Sequence, residues 1–321
     1  MEPIGGYFEL ELRKGEHYHK DAIKLNTARN CFEYVLRVRH YSKVYIPYYT
    51  CEVMLEPIKK LGINYEFYHI NELLEPVSFP ELGREEAFLY TNYFGLKQGC
   101  VRLLAKKYGD HLIVDNAQAF FAKPIEGIDT FYSARKFFGV ADGAYLYTDQ
   151  QLVIDLDFDV SYERMSHLLK RIDLSAEAGY LDFRNNDDSL CNQDIKLMSK
   201  LTEAILSGID YESVKKQRRE NYVFLDKSLT DSNQIHLEWE EDAIPMVYPY
   251  FTDDVLLRQR LIDNKVFVAT YWPSLKERTS KEMMERGLMD RIIPLPCDHR
   301  YGKDEISVII ELVLKPKIRK S

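Results

Sequence analysis

Two residues of complementary chemistry, Asp115 and Lys136, lie in the middle of the chain. Asp115 ends a short apolar run, Lys136 comes shortly after a second, and a third follows; these runs are at residues 112–114, 128–132 and 144–147. Short apolar runs bounded by polar residues or glycine predict neighbouring buried strands. Ligands of open α/β sheets bind at the carboxyl ends of the strands. We therefore expect the carboxylate and the amine to lie at one edge of one sheet.

A carboxylate and an amine at that edge suit the cofactor pyridoxal phosphate (PLP). The amine of Lys136 can form a Schiff base with the aldehyde of the cofactor. The carboxylate of Asp115 can keep the pyridine nitrogen protonated, so that the ring accepts electrons. A solvated Asp at a strand end and a surface Lys would produce the same pattern. The two residues alone leave both interpretations open.

The wider pattern resembles the DegT/DnrJ/EryC1/StrS family of PLP-dependent sugar aminotransferases. The family's Asp-x-Ala-Gln segment is matched by Asp115-Asn116-Ala117-Gln118. An Asp-aromatic strand then leads into the lysine at 129–136, and a Gly-rich hairpin follows at 139–144. The resemblance rests on the order and spacing of these segments and covers most of the chain. It implies that the chain is a short, divergent member of the family. It implies an α/β protein of PLP-dependent transferase fold type I. This fold is a three-layer sandwich with a mostly parallel sheet, plus a smaller C-terminal α/β domain.

The resemblance also assigns roles around the cofactor ring. Lys136 would bind the cofactor covalently, and Asp115 would pair with the ring nitrogen. Both would be catalytic residues. Gln118 would hydrogen-bond near the ring oxygen or the substrate.

The cofactor's phosphate is expected at the start of a helix predicted over 31–41. Thr27 can act as an N-cap, and exposed N–H groups at a helix start favour a phosphate. An ordinary capped helix is the alternative. In the resembling family this position is a Ser-Gly-Thr-like turn, and here Thr27, Ala28 and Arg29 occupy it. The family's glycine is missing, so the backbone is less free to approach the phosphate.

Two further positions depart from the family pattern. At the position of the family's aromatic residue that stacks on the cofactor ring, this chain has Cys51. Either Cys51 covers the ring face, or the side chain of Tyr49 turns towards the ring and covers it. A buried thiol at a helix start is the alternative. The family's phosphate-binding Ser, five residues before the lysine, is Phe131 here. Ser133, three residues before Lys136, can substitute for it or is a plain surface residue of the turn.

The composition favours neither a nucleic-acid nor a membrane partner. The 321 residues are 45% hydrophobic and carry a net charge of −8 from 43 basic and 51 acidic residues, with the basic ones scattered. Five cysteines lie far apart without a CxxC pair, which favours a reducing compartment, the cytoplasm, and argues against a metal site. The first residues lack the pattern of a signal peptide, and no apolar run reaches transmembrane length.

Alternating strand and helix patterns predict βαβ units and a division into two domains. A charged helical pattern over 211–229 resembles the family's interdomain helix. We predict a large PLP-binding domain at 1–210 and a small C-terminal domain at 211–321. Other local predictions are strands at 7–12 and 266–270, a helix at 194–207 and an exposed loop at 183–188. In the family the region after the lysine hairpin reaches across a dimer interface. A homodimer is therefore expected, with Arg184 and Asn185 as candidates to approach the partner's cofactor.

The resemblance implies an aminotransferase in which Lys136 works as general acid and base. The expected donor is glutamate, and the expected acceptor is a keto sugar on a nucleotide, in polysaccharide or antibiotic sugar biosynthesis. Two alternatives stay open. The protein is a binding protein that kept the fold and lost the chemistry, or it catalyses another class of PLP reaction.

Overall fold

Seven strands form one mixed sheet in the computed structural model, which describes residues 4–315. In chain order they are β1 (Ile23–Leu25), β2 (Lys43–Pro47), β3 (Asn64–Tyr68), β4 (Glu86–Thr91), β5 (Leu112–Asn116), β6 (Asp129–Ser133) and β7 (Ala144–Tyr147). Their order across the sheet is β1-β7-β6-β5-β4-β2-β3. Only β7 runs against the other six, because it pairs antiparallel with both β6 and β1 while β2 to β6 pair in parallel. The predicted mostly parallel sheet is confirmed.

The sheet is buried on both faces, which gives the fold its three layers. Side chains of a strand point alternately to opposite faces. In β6, Phe131 packs on one face against Phe32, at 6.0 Å between ring centroids. Tyr132 packs on the other face in the cluster that contains Phe120. Such strands have no polar face, so they are recognisable in the sequence as the continuous apolar runs described above.

Helices of the chain cover the sheet and build the rest of the molecule. They are α1 (Ala28–Arg39), α2 (Leu55–Lys60), α3 (Gln98–Tyr108), α4 (Ser166–Asp173), α5 (Tyr180–Ser189), α6 (Lys200–Ser207), α7 (Tyr211–Leu229), α8 (Leu257–Asp263), α9 (Leu275–Arg278), α10 (Met284–Arg291) and α11 (Lys303–Leu314). Helix α1 packs against β6 and β7, and α3 packs against β5. No helix within residues 4–315 combines the length and the apolar composition needed to cross a bilayer.

The C-terminal third contains a second, smaller sheet. Its two antiparallel strands are β8 (Val247–Phe251) and β9 (Ile292–Pro296). Helix α7 packs against α11 and β8. One continuous apolar cluster includes Tyr90 and Tyr132 of the large sheet together with Leu295 of β9. The domain boundary at residue 210 stays a prediction, and α7 begins at Tyr211.

Four local predictions are wrong. Residues 7–12 and 266–270 form no strand, and residues 183–188 lie inside helix α5. The helix predicted from residue 194 begins only at Lys200, with Ser199 as its N-cap. The preceding residues are extended because they hydrogen-bond to the chain of β1. The backbone N–H of Met198 donates to the carbonyl of Lys24, and that of Asn26 donates to the carbonyl of Lys196.

Candidate functional site

Asp115 lies at the carboxyl end of β5 as a buried carboxylate. Its side chain is 6% exposed, and its Oδ1 accepts a hydrogen bond of 2.8 Å from the backbone N–H of Ala117. Burial raises the pKa of Asp115 from 3.8 to about 6, although this N–H and the charge of Lys136 lower it in part. The hydroxyl of Thr91, its neighbour in register on β4, also lowers this pKa, but burial is the larger effect. The chain by itself therefore leaves this carboxylate poorly compensated.

Lys136 ends the single helical turn Ala134–Lys136 that follows β6, the strand next to β5. Its side chain is exposed, and its charge lowers the pKa of both Asp115 and Cys51. The sheet thus brings the two predicted catalytic groups to the same edge.

The turn that carries Lys136 is fixed to the start of α1 through Gly143. The N–H of Ala134 donates to the carbonyl of Gly143, and the N–H of Gly143 donates to the carbonyl of Asn26. Gly143 has φ +111, and a Cβ there would meet the Cγ2 of Thr202 at 2.8 Å. Only glycine suits this position, because both its conformation and its surroundings exclude a side chain.

Gln118 is buried two residues after the end of β5, and its side chain already makes a hydrogen bond within the protein. Its Oε1 accepts a hydrogen bond of 2.9 Å from the N–H of Phe94, a residue with φ 58. The side-chain carbonyl is therefore occupied, and the amide NH₂ is the group left for a ligand or substrate.

The first turn of α1 exposes donors where the phosphate was expected. The hydroxyl of Thr27 accepts from the N–H of Asn30 and donates to the Asn30 side chain, so it acts as the N-cap. No residue within 4–315 accepts from the backbone N–H of Ala28 or Arg29. The Arg29 side chain pairs with Glu56 at 2.6 Å. Two backbone N–H groups thus remain available for an anion.

Two residues near the expected phosphate position, Arg135 and Asp187, were not assigned a role from the sequence. Arg135, 16% exposed, pairs with Asp187 of α5 at 3.0 Å between Nη2 and Oδ1. Ser133, the last residue of β6, is buried and pairs through its backbone with β7, and its side-chain hydroxyl makes no hydrogen bond with any other residue between 4 and 315. Phe131 is fully buried among apolar side chains. Arg135 could have been noticed as a second cation beside the lysine, whereas Asp187 lies 52 residues away in the sequence.

Cys51 and Tyr49 occupy very different surroundings. Cys51 is partly exposed and close to Lys136; burial raises the pKa of its thiol, and the lysine charge lowers it in part. Tyr49 is fully buried, with its ring 4.6 Å from that of Trp272 and 5.6 Å from that of Tyr93. Of the two residues considered for the ring face, Cys51 is therefore the one placed beside the lysine, and Tyr49 is held in the core.

A residue of the C-terminal third holds the loop that bears Cys51. Arg278, at the end of α9, donates from Nη2 to the carbonyl of Tyr48 at 3.1 Å and to that of Thr50. Within residues 4–315 this guanidinium pairs with no carboxylate. Its role was not predicted, because α9 is only four residues long and has no distinctive pattern.

Comparison with known proteins identifies the fold. No protein-family model matches the sequence, and no curated protein matches it. Solved structures match over most of the chain. The sugar aminotransferase CalS13 from Micromonospora echinospora has 13% identity and a TM-score of 0.61, covering 92% of this chain and 87% of its own. DesV from S. venezuelae has 16% identity and a TM-score of 0.63, covering 91% and 83%. A DegT DnrJ EryC1 StrS aminotransferase from Brucella abortus has 14% identity and a TM-score of 0.59, covering 91% and 84%. The predicted α/β fold, that of these aminotransferases, is confirmed.

Proposed function

We propose that this protein is a PLP-dependent aminotransferase that moves an amino group from glutamate to a keto sugar carried on a nucleotide. The observation that carries the proposal is the buried Asp115 beside Lys136 at the carboxyl edge of β5 and β6. The structures with the same fold support the choice of acceptor, since several are named sugar aminotransferases. One of them is described in both PLP and PMP forms.

The residues of the site fit PLP. The cofactor combines a ring nitrogen that can carry a proton, an aldehyde and a phosphate. Asp115 is a buried carboxylate that lacks a cation of its own, Lys136 is an exposed amine, and the start of α1 offers two free N–H groups. When bound, PLP supplies an electron-accepting ring that allows an amino acid to lose the proton of its α-carbon.

The side chains then have separate tasks. The Nζ of Lys136 takes up the proton that leaves the substrate carbon and returns it at the other end of the transfer, as a general base and then a general acid. The carboxylate of Asp115 holds a proton on the ring nitrogen by charge pairing, which burial strengthens. The free amide of Gln118 can donate to a ring or substrate oxygen.

We also propose that the protein works as a homodimer in the cytoplasm. Large apolar side chains are exposed over residues 153–183. The most exposed are Val153, Val160, Ile172, Leu174 and Leu181. A concentration of exposed apolar side chains in one segment supports an interaction site there, and a second copy of the chain is the partner that family resemblance favours. Free thiols at Cys31, Cys51, Cys100, Cys191 and Cys297 are compatible with a reducing compartment.

The experiment is cofactor loading followed by site mapping. PLP added to the purified protein should give a visible absorption band that borohydride abolishes, and peptide mapping should then find the modified residue at Lys136. The Lys136→Ala variant should lose the band, while Lys123→Ala, a change of another exposed lysine, should keep it. Glutamate added to the loaded wild type should release 2-oxoglutarate. No label at Lys136 with excess PLP would contradict the proposal. Labelling without reaction with any common amino donor would favour the binding protein of the same fold.

A further inference from the structure

We infer that Arg135 is the cationic anchor for the phosphate group of the cofactor and that Asp187 occupies its guanidinium until the phosphate binds. The inference rests on the proposed function, because it concerns how this chain holds PLP. It assigns a phosphate monoester as the ligand of the Arg135 side chain.

The Arg135–Asp187 pair is unequal in burial. The Arg135 side chain is 16% exposed, whereas that of Asp187 is 52% exposed. A mostly buried guanidinium needs an anion at all times, since an unpaired buried charge is costly. A half-exposed carboxylate can rotate away from the guanidinium into solvent at little cost in free energy. Asp187 can therefore leave when another anion arrives, and Arg135 cannot.

Asp187 also lies at an unfavourable place for a carboxylate. It is in the last turn of α5, where the helix dipole disfavours negative charge. Burial alone would raise the pKa of Asp187, but the charges of Arg135, Lys136 and Arg29 lower it instead. Three cations of the site thus act on one carboxylate. A doubly charged phosphate satisfies such a set better than a single carboxylate does.

The other donors of the same place point to a phosphate. The turn of Arg135 is joined to the start of α1 through the hydrogen bonds of Gly143. That helix start carries the free N–H groups of Ala28 and Arg29, and the buried Ser133 precedes Arg135 by two residues. Backbone N–H groups at a helix start and a planar guanidinium are both donors that match phosphate oxygens. Phe131 offers no hydroxyl and is buried in the core, so a substitute donor is required.

The test compares PLP with pyridoxal, which lacks the phosphate. Equilibrium dissociation constants for both are measured by absorbance for wild type, Arg135→Gln, Arg135→Lys and Asp187→Asn. Arg135→Gln should weaken PLP binding by at least about 10-fold, since a charge-assisted hydrogen bond is lost, and leave pyridoxal binding unchanged. Arg135→Lys should restore part of the loss, and Asp187→Asn should tighten PLP binding. Inorganic phosphate should compete with PLP in the wild type and not in Arg135→Gln.

The matched control is Arg164→Gln. Arg164 has a similar exposure of 18% and also pairs with an aspartate, Asp159, at 2.6 Å. The Arg164→Gln variant should have the same ratio of the dissociation constants for PLP and pyridoxal as the wild type. An equal loss for PLP and pyridoxal in Arg135→Gln, or no loss for either, would overturn the inference while the proposed function stands. A wild type that binds no PLP at all would instead overturn the proposed function and this inference with it. The melting temperature of each variant shows whether the fold is retained.

Discussion

Replacing Asp115 with Asn should raise the stability of the cofactor-free protein and lower the stability of the protein with bound cofactor. The two side chains have nearly the same size, and the Asn side-chain oxygen can still accept the hydrogen bond from the N–H of Ala117. What the substitution removes is a negative charge in a buried site. In the absence of PLP this charge is a cost, because burial disfavours the ionised form.

The size of the effect follows from the pKa of Asp115. Its rise from 3.8 to about 6 corresponds to about 3 kcal/mol at a pH above both values, since one pKa unit corresponds to about 1.4 kcal/mol. The folded protein holds the proton more tightly than the unfolded chain does. The wild type therefore loses stability as the pH rises from about 4 to about 6, and this loss is complete above that range. The Asn variant has no such group and should not show this loss.

The assay is chemical denaturation of the cofactor-free protein over that pH range. The free energy of unfolding of Asp115→Asn should be close to that of the wild type near pH 4 and should exceed it by up to about 3 kcal/mol near pH 7.5. Saturating PLP should reverse the order, because the protonated ring nitrogen supplies the cation that Asp115 lacks. The glutamate half-reaction of the loaded variant should slow by several factors of ten, each about 1.4 kcal/mol of barrier.

Two results would refute this reasoning. One is a stability difference that does not change between about pH 4 and pH 7.5. The other is a cofactor-free variant that is less stable than the wild type at neutral pH. A full-rate half-reaction by the variant would show that Asp115 does not pair with the ring nitrogen.

Three further predictions concern a glycine, a buried arginine and the proposed dimer surface. Gly143→Ala should lower the free energy of unfolding by about 1–3 kcal/mol in denaturant titration, because the φ of Gly143 and the nearby methyl of Thr202 exclude a Cβ. The control Gly287→Ala should not lower it, because no atom lies within 4 Å of a Cβ added there. Arg218→Met should lower the free energy of unfolding by about 2–4 kcal/mol and weaken PLP binding, because its buried guanidinium donates to three carbonyls, including that of the residue after Lys136. Arg219→Met should lower the free energy of unfolding far less, because the Arg219 side chain is 40% exposed. Ile172→Asp should convert the dimer to a monomer in light scattering, and a monomeric wild type at micromolar concentration with PLP bound would contradict the proposed dimer.

The parts of the fold that could be predicted from the sequence are segments whose own burial produces a recognisable pattern of apolar residues. The runs that became β5, β6 and β7 are apolar on both faces, so they were recognisable without knowledge of their neighbours. The bounds of α7, residues 211–229, were predicted as the structure has them. This helix begins and ends at clear changes in periodicity.

The parts that were predicted wrongly depend on distant partners. Helix α5 is rich in Asn and Asp and is held by long-range bonds such as that from the Asn186 side chain to the carbonyl of Ala141. Residues 194–199 have helical spacing but donate their hydrogen bonds to distant parts of the chain, such as Lys24 of β1 and Asp157. In the same way, the order of motifs indicated Asp115 and Lys136, whereas the Arg135–Asp187 pair depends on how α5 folds back over the lysine turn. No pattern within a single stretch contains that information.

The position of Trp272 gives the protein an optical probe of its own site. The chain has two tryptophans, at 239 and 272. The ring of Trp272 lies against Tyr49, two residues before Cys51, and the ring of Trp239 lies against Tyr222 of α7. Trp272 contacts the segment that bears Cys51, so a light-absorbing ligand beside Cys51 should quench its fluorescence by energy transfer. Fluorescence of a Trp239→Phe variant therefore follows the filling of the site without any label, and a Trp272→Phe variant provides the reference signal.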